Sequence, residues 1–182
     1  MTIAPGTYAL GPDNAMLRVR TGKGGAAARA AHNLVIEVTS WRGTLVVSRS
    51  PGDTSARLDA DSGSLRVLEG TGGIQALGDD EIDTINQTIR DDVLKGGTIA
   101  FKSTVVEAPG SNGTLLIRGD LELLGTTRPI AFAVDTEPDG TFHADATITQ
   151  TEWGIKPYST LFGTLKVLDD VEVALDGRLV SG

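Results

Sequence analysis

The sequence contains no cysteine, so the protein has neither a disulfide framework nor a thiolate that could bind a metal or act as a nucleophile. It has only two histidines. One of them forms the compact pattern His143-Ala144-Asp145, which would direct both polar side chains off one face of a strand, and we place that face toward solvent. The Gly-x-Ser-x-Gly motif of a nucleophile elbow is absent as well. These absences predict no metal site, no cofactor and no catalytic residue.

Signals for charged partners and for membranes are also missing. Acidic residues outnumber basic residues by 24 to 16, and the resulting net charge of −8 disfavours binding to nucleic acid. The glycine clusters Gly22–Gly25 and Gly70–Gly73 match neither a Walker loop nor a complete dinucleotide fingerprint, so we interpret them as loops. No apolar run approaches the roughly 18 residues that a membrane span requires. The first residues lack the basic and apolar segments of a secretion signal, and we expect a cytoplasmic location.

Bulky aromatic side chains are scarce, at 4% of the sequence, whereas glycine occurs 23 times. The interior must therefore be lined mainly by Leu, Ile, Val and Ala, which makes it apolar and allows it to be underfilled. A length of 182 residues predicts a single domain over residues 1–182. A domain of this size buries about 70% of the surface that its unfolded chain exposes, so it needs no covalent cross-link.

Alternating apolar and polar residues, which are typical of half-buried strands, recur over most of the chain. In the clearest case the side chains of Leu34, Ile36 and Val38 share one face. Short antiparallel strands at this spacing predict an all-β barrel or sandwich. The predicted strands are Tyr8–Arg20 with a break at Gly11-Pro12, Leu34–Ser48 with a bend at Gly43, Ala56–Leu68, Thr98–Glu107, Thr114–Leu124, Arg128–Thr136, Thr141–Thr151 and Asp170–Val180.

One amphipathic helix, Asp80–Leu94, is predicted between the strands. Its apolar residues fall three or four positions apart on one face, which we expect to dock on the sheet and close one barrel end. Acidic residues at its start and Lys95-Gly96 at its end suit the two ends of a helix. The alanine-rich run Gly24–Ala31 fits either a second, short helix or a loop. The docking face consists of Ile82, Ile85, Ile89 and Val93.

Matching apolar faces predicts the register of one hairpin. If Gly125-Thr126 is a two-residue turn, Leu121 lies opposite Ile130 and Gly119 lies opposite Phe132, so that the ring covers the glycine.

The next turn is predicted to contain three residues, Pro138-Asp139-Gly140. A two-residue turn would place polar side chains on the apolar face, whereas a three-residue loop pairs Thr136 with Phe142 and Val134 with Ala144. Proline first and glycine in a left-handed position also suit such a loop.

Two polar side chains fall on inward faces of this register. His32 would enter the interior near one end, where a backbone partner is a commoner arrangement than a ligand contact. Arg128 would lie opposite Leu123, close to the turn. Either it forms a salt bridge with an acid such as Asp169 or Asp170, or it binds an anionic or carbonyl headgroup at the mouth of a cavity.

Residues 153–163 concentrate the aromatic side chains Trp153, Tyr158 and Phe162, while glycines and a proline prevent a regular strand or helix there. Such an apolar loop must be buried against something. Three roles fit it: a plug for a barrel end, a flap over a ligand, or a subunit contact in a homodimer.

The stretch Gly119–Pro129 resembles the glycine, aspartate, leucine, glycine and Thr-Arg-Pro hairpin of the YceI-like polyisoprenoid-binding proteins. Gly6-Thr7-Tyr8, Ile99–Thr104 and Trp153-Gly154-Ile155 also match that family, and the order of the matches covers nearly the whole chain. Gly11 and Asn14 depart from the aspartate and histidine that many members carry. The resemblance implies an eight-stranded, antiparallel, lipocalin-like barrel whose elongated interior holds an isoprenoid chain or another lipid tail. The scarcity of aromatics favours one slender ligand over a filled interior.

We therefore expect a non-enzymatic carrier of an isoprenoid or acyl lipid, which would contact membranes transiently as it exchanges its ligand. Two alternatives remain: an interaction module with a filled barrel, and an enzyme in which His32 acts as a general base beside an acid. The predicted ligand-binding residues are Leu34, Ile36, Val38, Phe101, Ile117, Leu121, Phe132, Trp153, Tyr158, Phe162, His32 and Arg128.

Overall fold

A computed structural model describes residues 3–108, 113–160 and 165–180 of the chain. Alternating residues form antiparallel strands, as the pattern predicts. The strands are β1 Gly6–Leu10, β2 Ala15–Gly24, β3 Asn33–Val38, β4 Trp41–Val47, β5 Ser55–Asp61, β6 Leu65–Thr71, β7 Thr98–Glu107, β8 Thr114–Leu123, β9 Thr126–Thr136, β10 Thr141–Thr149, β11 Ser159–Thr160 and β12 Leu165–Arg178.

These strands form one antiparallel sheet that curls into a half-barrel. Its order is β1-β4-β5-β7-β8-β9-β10-β12-β2-β3-β6, and the two-residue strand β11 pairs with β12 beside this path. The curl is evident from the interior, because side chains from strands in both halves of this order line the same cavity. No helix among residues 3–108, 113–160 and 165–180 is long and apolar enough to cross a membrane.

The prediction of eight strands is wrong, because the main path of the sheet contains eleven. Corners divide three of the predicted strands, at residues 11–14, 39–40 and 62–64. Two of these corners are joined by backbone hydrogen bonds, from Asp61 to Ser40 at 2.9 Å and from Thr39 to Ser64 at 3.1 Å.

At each corner the buried positions change between odd and even residue numbers. Ile36 and Val38 are buried in β3, but Trp41 and Leu45 are buried in β4. A strand whose inward positions change parity has been bent or bulged. The sequence therefore carried a signal for the corners. The predicted break at Gly11-Pro12 falls in the first corner, whereas the corners at residues 39–40 and 62–64 were missed.

The predicted helix is present, one residue longer at its start. Helix α1 covers Asp79–Thr88 and continues as a π-helical segment over Ile89–Leu94. It ends where expected, since Lys95 and Gly96 have φ angles of 51° and 69°. The run Gly24–Ala31 does not form a second α-helix, because β2 extends to Gly24 and only Ala28–Ala30 make a single 3₁₀ turn.

Helix α1 lies along β6, the last strand in the sheet order. The side-chain oxygen of Asn86 accepts a hydrogen bond of 2.8 Å from the backbone N–H of Val67 in β6. The helix thereby covers an edge that would otherwise present unpaired backbone groups. Its predicted docking face packs against a buried cluster that includes Leu65 and Val67 of β6, as well as Ile36 of β3.

The hairpin between β9 and β10 has the predicted three-residue loop. Thr136 pairs with Phe142 and Val134 pairs with Ala144, as expected. Gly140 has a φ of 86°, the left-handed conformation that the loop requires.

The hairpin between β8 and β9 differs from the prediction by two residues. Leu123 pairs with Thr126, so Leu124-Gly125 is the turn, and Gly119 pairs with Ile130 rather than Phe132. Both turn residues have positive φ, 52° and 83°, as in a type I′ turn. A shift of two residues preserves the face of every side chain, so Phe132 still faces the interior.

Candidate binding cavity

The curled sheet and helix α1 enclose a cavity of about 480 Å³. This volume lies in the range of roughly 300–1,000 Å³ that is usual for small-molecule sites. Nine strands and the helix contribute to the wall, chiefly with aliphatic side chains.

The alternation of single strands produces this apolar wall. In β2 the inward positions are Leu17, Val19, Thr21 and Lys23, which all line the cavity. Leu17 pairs with Val38 of β3, so apolar side chains from neighbouring strands meet on the inner face.

Small side chains and few rings keep the interior open. Ala144 and Ala146 of β10 line the cavity where larger residues would fill it. The ring of Phe101 lies over Gly119 of β8 and near Phe132, with 5.4 Å between the two ring centroids. The ring that covers Gly119 is thus that of Phe101 on β7, not that of Phe132.

Basic and polar side chains gather where β2 meets β12. Lys23 lines the cavity, and its Nζ donates to the backbone oxygens of Ala31, at 2.9 Å, and of Gly72. His32 also lines the cavity, and its Nε2 contacts the backbone oxygen of Gln75 at 2.6 Å. His32 thus has a backbone partner, the commoner of the two arrangements expected for it.

Most of the predicted ligand-binding residues reach this cavity, and three described ones do not. Ile117 is 3% exposed and packs in the core instead. Trp153 and Arg128 also lie outside the lining, while Phe162 falls outside the described residues. The predicted residues that line the cavity are Leu34, Ile36, Val38, Phe101, Leu121, Phe132, Tyr158 and His32.

Arg128 sits opposite Leu121 rather than Leu123. Its guanidinium pairs with Glu152, with Nε 3.8 Å from the carboxylate, and NH1 donates to the Glu152 backbone oxygen at 3.2 Å. The acid is therefore neither Asp169 nor Asp170. The side-chain oxygens of Asp169 instead accept hydrogen bonds from Thr151.

The start of the aromatic loop packs into the sheet. Trp153 is buried, and its Nε1 donates to the backbone oxygen of Leu121 at 3.0 Å. Ile155 is buried in the same core cluster and also reaches the cavity. Tyr158 is 46% exposed and lines the cavity further along the loop.

His143 faces away from the cavity, on the exposed face of β10. Its Nδ1 lies 2.6 Å from Asp176 and its Nε2 lies 3.3 Å from Asp145. The hydrogen bond to Asp176 raises the pKa of the imidazole above its ordinary value, and the charges of both carboxylates add to this effect. Within residues 3–108, 113–160 and 165–180, no three His, Asp or Glu side chains are grouped so as to hold a metal.

Several lining residues were missing from the prediction. Ile85 and Ile89 of the helix belong to the face that was expected only to dock, and Val173 and Leu175 belong to the alternating strand β12. The periodicity marked all four as inward-facing. It could not show that they border a cavity rather than a packed core.

A family model and several solved structures relate the chain to known proteins. The family model described as "YceI-like domain" matches residues 12–179. None of the curated proteins compared with the chain matches it.

Solved structures share the fold at low sequence identity. BcnA of Burkholderia cenocepacia has a TM-score of 0.65 at 14% identity, covering 89% of this chain and 94% of BcnA. The YCEI protein of Campylobacter jejuni, which crystallizes with large solvent channels, has a TM-score of 0.55 at 13% identity. The match covers 81% of this chain and 84% of the Campylobacter jejuni protein. A mutant of that protein with a monobromobimane guest structure has the same scores.

Proposed function

The chain belongs to the YceI-like domain family, and from that premise we propose that it is a non-enzymatic carrier that binds the apolar tail of an isoprenoid or acyl lipid in its cavity. The fold of the proposed carrier is a lipocalin-like barrel in which the sheet and helix α1 together surround the tail. The observation that carries the proposal is the cavity itself, about 480 Å³ with an almost wholly apolar lining.

An apolar cavity of this size is more stable when filled with a hydrocarbon than when filled with water or left empty. Water is held poorly where few polar partners are available, and an empty cavity forfeits dispersion contacts with its lining. Each CH₂ group transferred from water into such a site contributes about 0.8 kcal/mol. Burial of a hydrocarbon tail in the cavity is therefore strongly favourable. This binding needs no catalytic group.

The same arithmetic implies exchange with another apolar phase. Transfer of about 15 prenyl carbons from water would yield on the order of 12 kcal/mol, which corresponds to nanomolar affinity and makes release into water slow. The lipid therefore passes between a membrane or partner protein and the cavity, where the apolar terms nearly cancel. We include transient membrane contact in the proposal for this reason.

The cavity also bears on the two alternatives. An interaction module with a filled barrel would have side chains where this space lies. An enzyme using His32 as a base needs an acid beside the ring, whereas the partner given by the structure is the backbone oxygen of Gln75.

The test is retention of lipid from the expression host, measured by native mass spectrometry and organic extraction. We expect a stoichiometric adduct with a long hydrocarbon tail. Ala146→Trp introduces a large ring on the cavity wall and should remove the adduct while preserving the fold.

Thr147→Trp is the matched control. Thr147 is the next residue of β10 and its side chain is exposed on the opposite face, so the adduct should remain. The carrier proposal fails if the wild-type protein carries no adduct and takes up no polyprenol, quinone or acyl lipid from liposomes.

A further inference from the structure

The cavity has chemically different ends. At one end Lys23 of β2 and its partner in β12, Val167, face the cavity, whereas Lys166 pairs with the outward-facing Gly24 and lies against that outer face. Tyr158 is close by, because its backbone oxygen accepts a hydrogen bond of 2.9 Å from Val167. We call this the Lys23 end.

The Lys23 ammonium group has no carboxylate partner among the described residues. It donates to two backbone oxygens, which are neutral, and an ammonium group has three N–H donors. Asp145 also borders the cavity, but its carboxylate lies on the exposed face, 3.3 Å from His143. Within the described part of the chain, no carboxylate therefore neutralises the positive charge at this end.

An unneutralised cation beside an apolar cavity has a defined ligand preference. Hydrogen bonds between an ammonium and a carboxylate or phosphate are shorter and about twice as strong as those between neutral groups. Lysine in particular acts as a compact positive charge toward phosphate. A molecule with an apolar tail and an anionic head would satisfy both parts of the cavity.

We propose that the Lys23 end binds the anionic headgroup, carboxylate or phosphate, of the lipid whose tail fills the cavity. This inference rests on the proposed function and specifies its ligand class. It assigns the headgroup contact to Lys23 of β2 rather than to Arg128, which pairs with Glu152.

The test compares three ligands with the same farnesyl tail: farnesol, farnesoic acid and farnesyl monophosphate. Affinities are measured by tryptophan fluorescence or calorimetry on delipidated protein. We expect the wild-type protein to bind one or both anions at least about tenfold more tightly than farnesol. Whichever of the two anions binds more tightly relative to farnesol identifies the preferred headgroup as a carboxylate or a phosphate.

Variants assign that preference to this end. Lys23→Met should abolish the ratio between anion and alcohol affinities, while Lys23→Arg should retain it. Lys166→Met removes the neighbouring cation on the outer face and should leave the ratio unchanged. Lys102→Met is the control, because Lys102 is an exposed cation of β7 outside the cavity lining. It removes the same net charge and should leave the ratio unchanged.

Each outcome decides a different statement. Equal wild-type affinities for farnesol and both anions would overturn the headgroup inference and leave the carrier proposal standing. A preference that survives in Lys23→Met would also overturn it. If none of the three ligands binds, the headgroup inference fails for prenyl lipids, while the adduct and uptake measurements on the wild-type protein decide the carrier proposal separately. The wild-type comparison and Lys23→Arg decide the matter even if Lys23→Met does not fold.

Discussion

At the scale of single residues, Gly119 shows how the wall makes room for an aromatic ring. A Cβ atom at this position would lie 2.4 Å from the backbone oxygen of Lys102 and 2.6 Å from Cζ of Phe101. The first contact is with a strand backbone, which cannot move without disturbing the ladder between β7 and β8. The absence of a side chain here is therefore a steric requirement.

Gly119→Ala should lower the free energy of unfolding by about 1–3 kcal/mol, the usual cost of overpacking. Chemical denaturation measures the loss. Gly52→Ala is the control, since nothing lies within 4 Å of its Cβ position and the change should stay within about 0.5 kcal/mol. Equal effects of the two substitutions would contradict the steric explanation.

The exposed histidine predicts a pH dependence of stability. The hydrogen bond to Asp176 raises the pKa of His143 in the folded state. The resulting stabilisation is complete below the unfolded pKa of about 6.5 and is lost as the pH rises through the folded pKa. His143→Gln should therefore destabilise the protein more at about pH 5.5 than at about pH 8.5, by under 1 kcal/mol because the pair is exposed.

Denaturation curves at the two pH values check this dependence. Asp176→Ala removes the same hydrogen bond and should reproduce it. A loss for His143→Gln that is equal at both pH values would show that the imidazole acts only through packing.

At the scale of elements, helix α1 combines three tasks. It covers the β6 edge through Asn86, it contributes Ile85 and Ile89 to the cavity wall, and its π-helical segment leads into β7. None of the residues of α1 itself is fully buried, because the space beneath its apolar face is the cavity. The helix is thus part of the binding site as well as of the fold.

Ile89→Asp should lower the free energy of unfolding by several kcal/mol, because it places a charge against an apolar wall. A thermal or chemical melt measures the change. Gln87→Asp introduces the same charge on the exposed face of the helix and should cost only a few tenths of a kcal/mol. An unchanged melting temperature for Ile89→Asp would show that the helix does not pack on the sheet as described.

The two hairpins show which element features are local. Proline and glycine at fixed positions selected the three-residue loop between β9 and β10, and its register was predicted correctly. Between β8 and β9, a glycine could occupy either turn position. Contacts outside the hairpin chose Leu124-Gly125, since the Leu124 N–H donates to the Thr98 oxygen at 2.9 Å and its side chain lies over Gly97.

At the scale of the whole molecule, stability should depend on the cargo. A ligand present at 100 times its dissociation constant adds about 2.7 kcal/mol to the folded state. For a domain of this size that corresponds to a shift of about 5–10 °C in melting temperature. Organic extraction and refolding should therefore lower the melting temperature of the wild-type protein by this amount.

Ala146→Trp supplies the comparison for this measurement. With its cavity occupied by the ring, the variant should melt at the same temperature before and after extraction. A wild-type melting temperature that extraction leaves unchanged would contradict a role for the ligand in stability.

The sequence by itself determined the class of fold, the helix and the face on which most side chains lie. These features are local, because alternation and helical spacing are properties of neighbouring residues. That is why Leu34, Ile36 and Val38 were placed inward correctly, and why the two-residue error in the β8–β9 register left Phe132 inside.

Only the tertiary structure decided the register of the β8–β9 hairpin and the existence of the cavity. Whether an interior is filled depends on the summed volumes of side chains from strands far apart in sequence. Ile117 was counted as lining and is packed in the core, whereas Val173 and Lys23 were not counted and reach the cavity. The alternation within one strand shows which side chains point inward. Whether such a side chain meets another side chain or borders the cavity depends on the strands that the fold places opposite it.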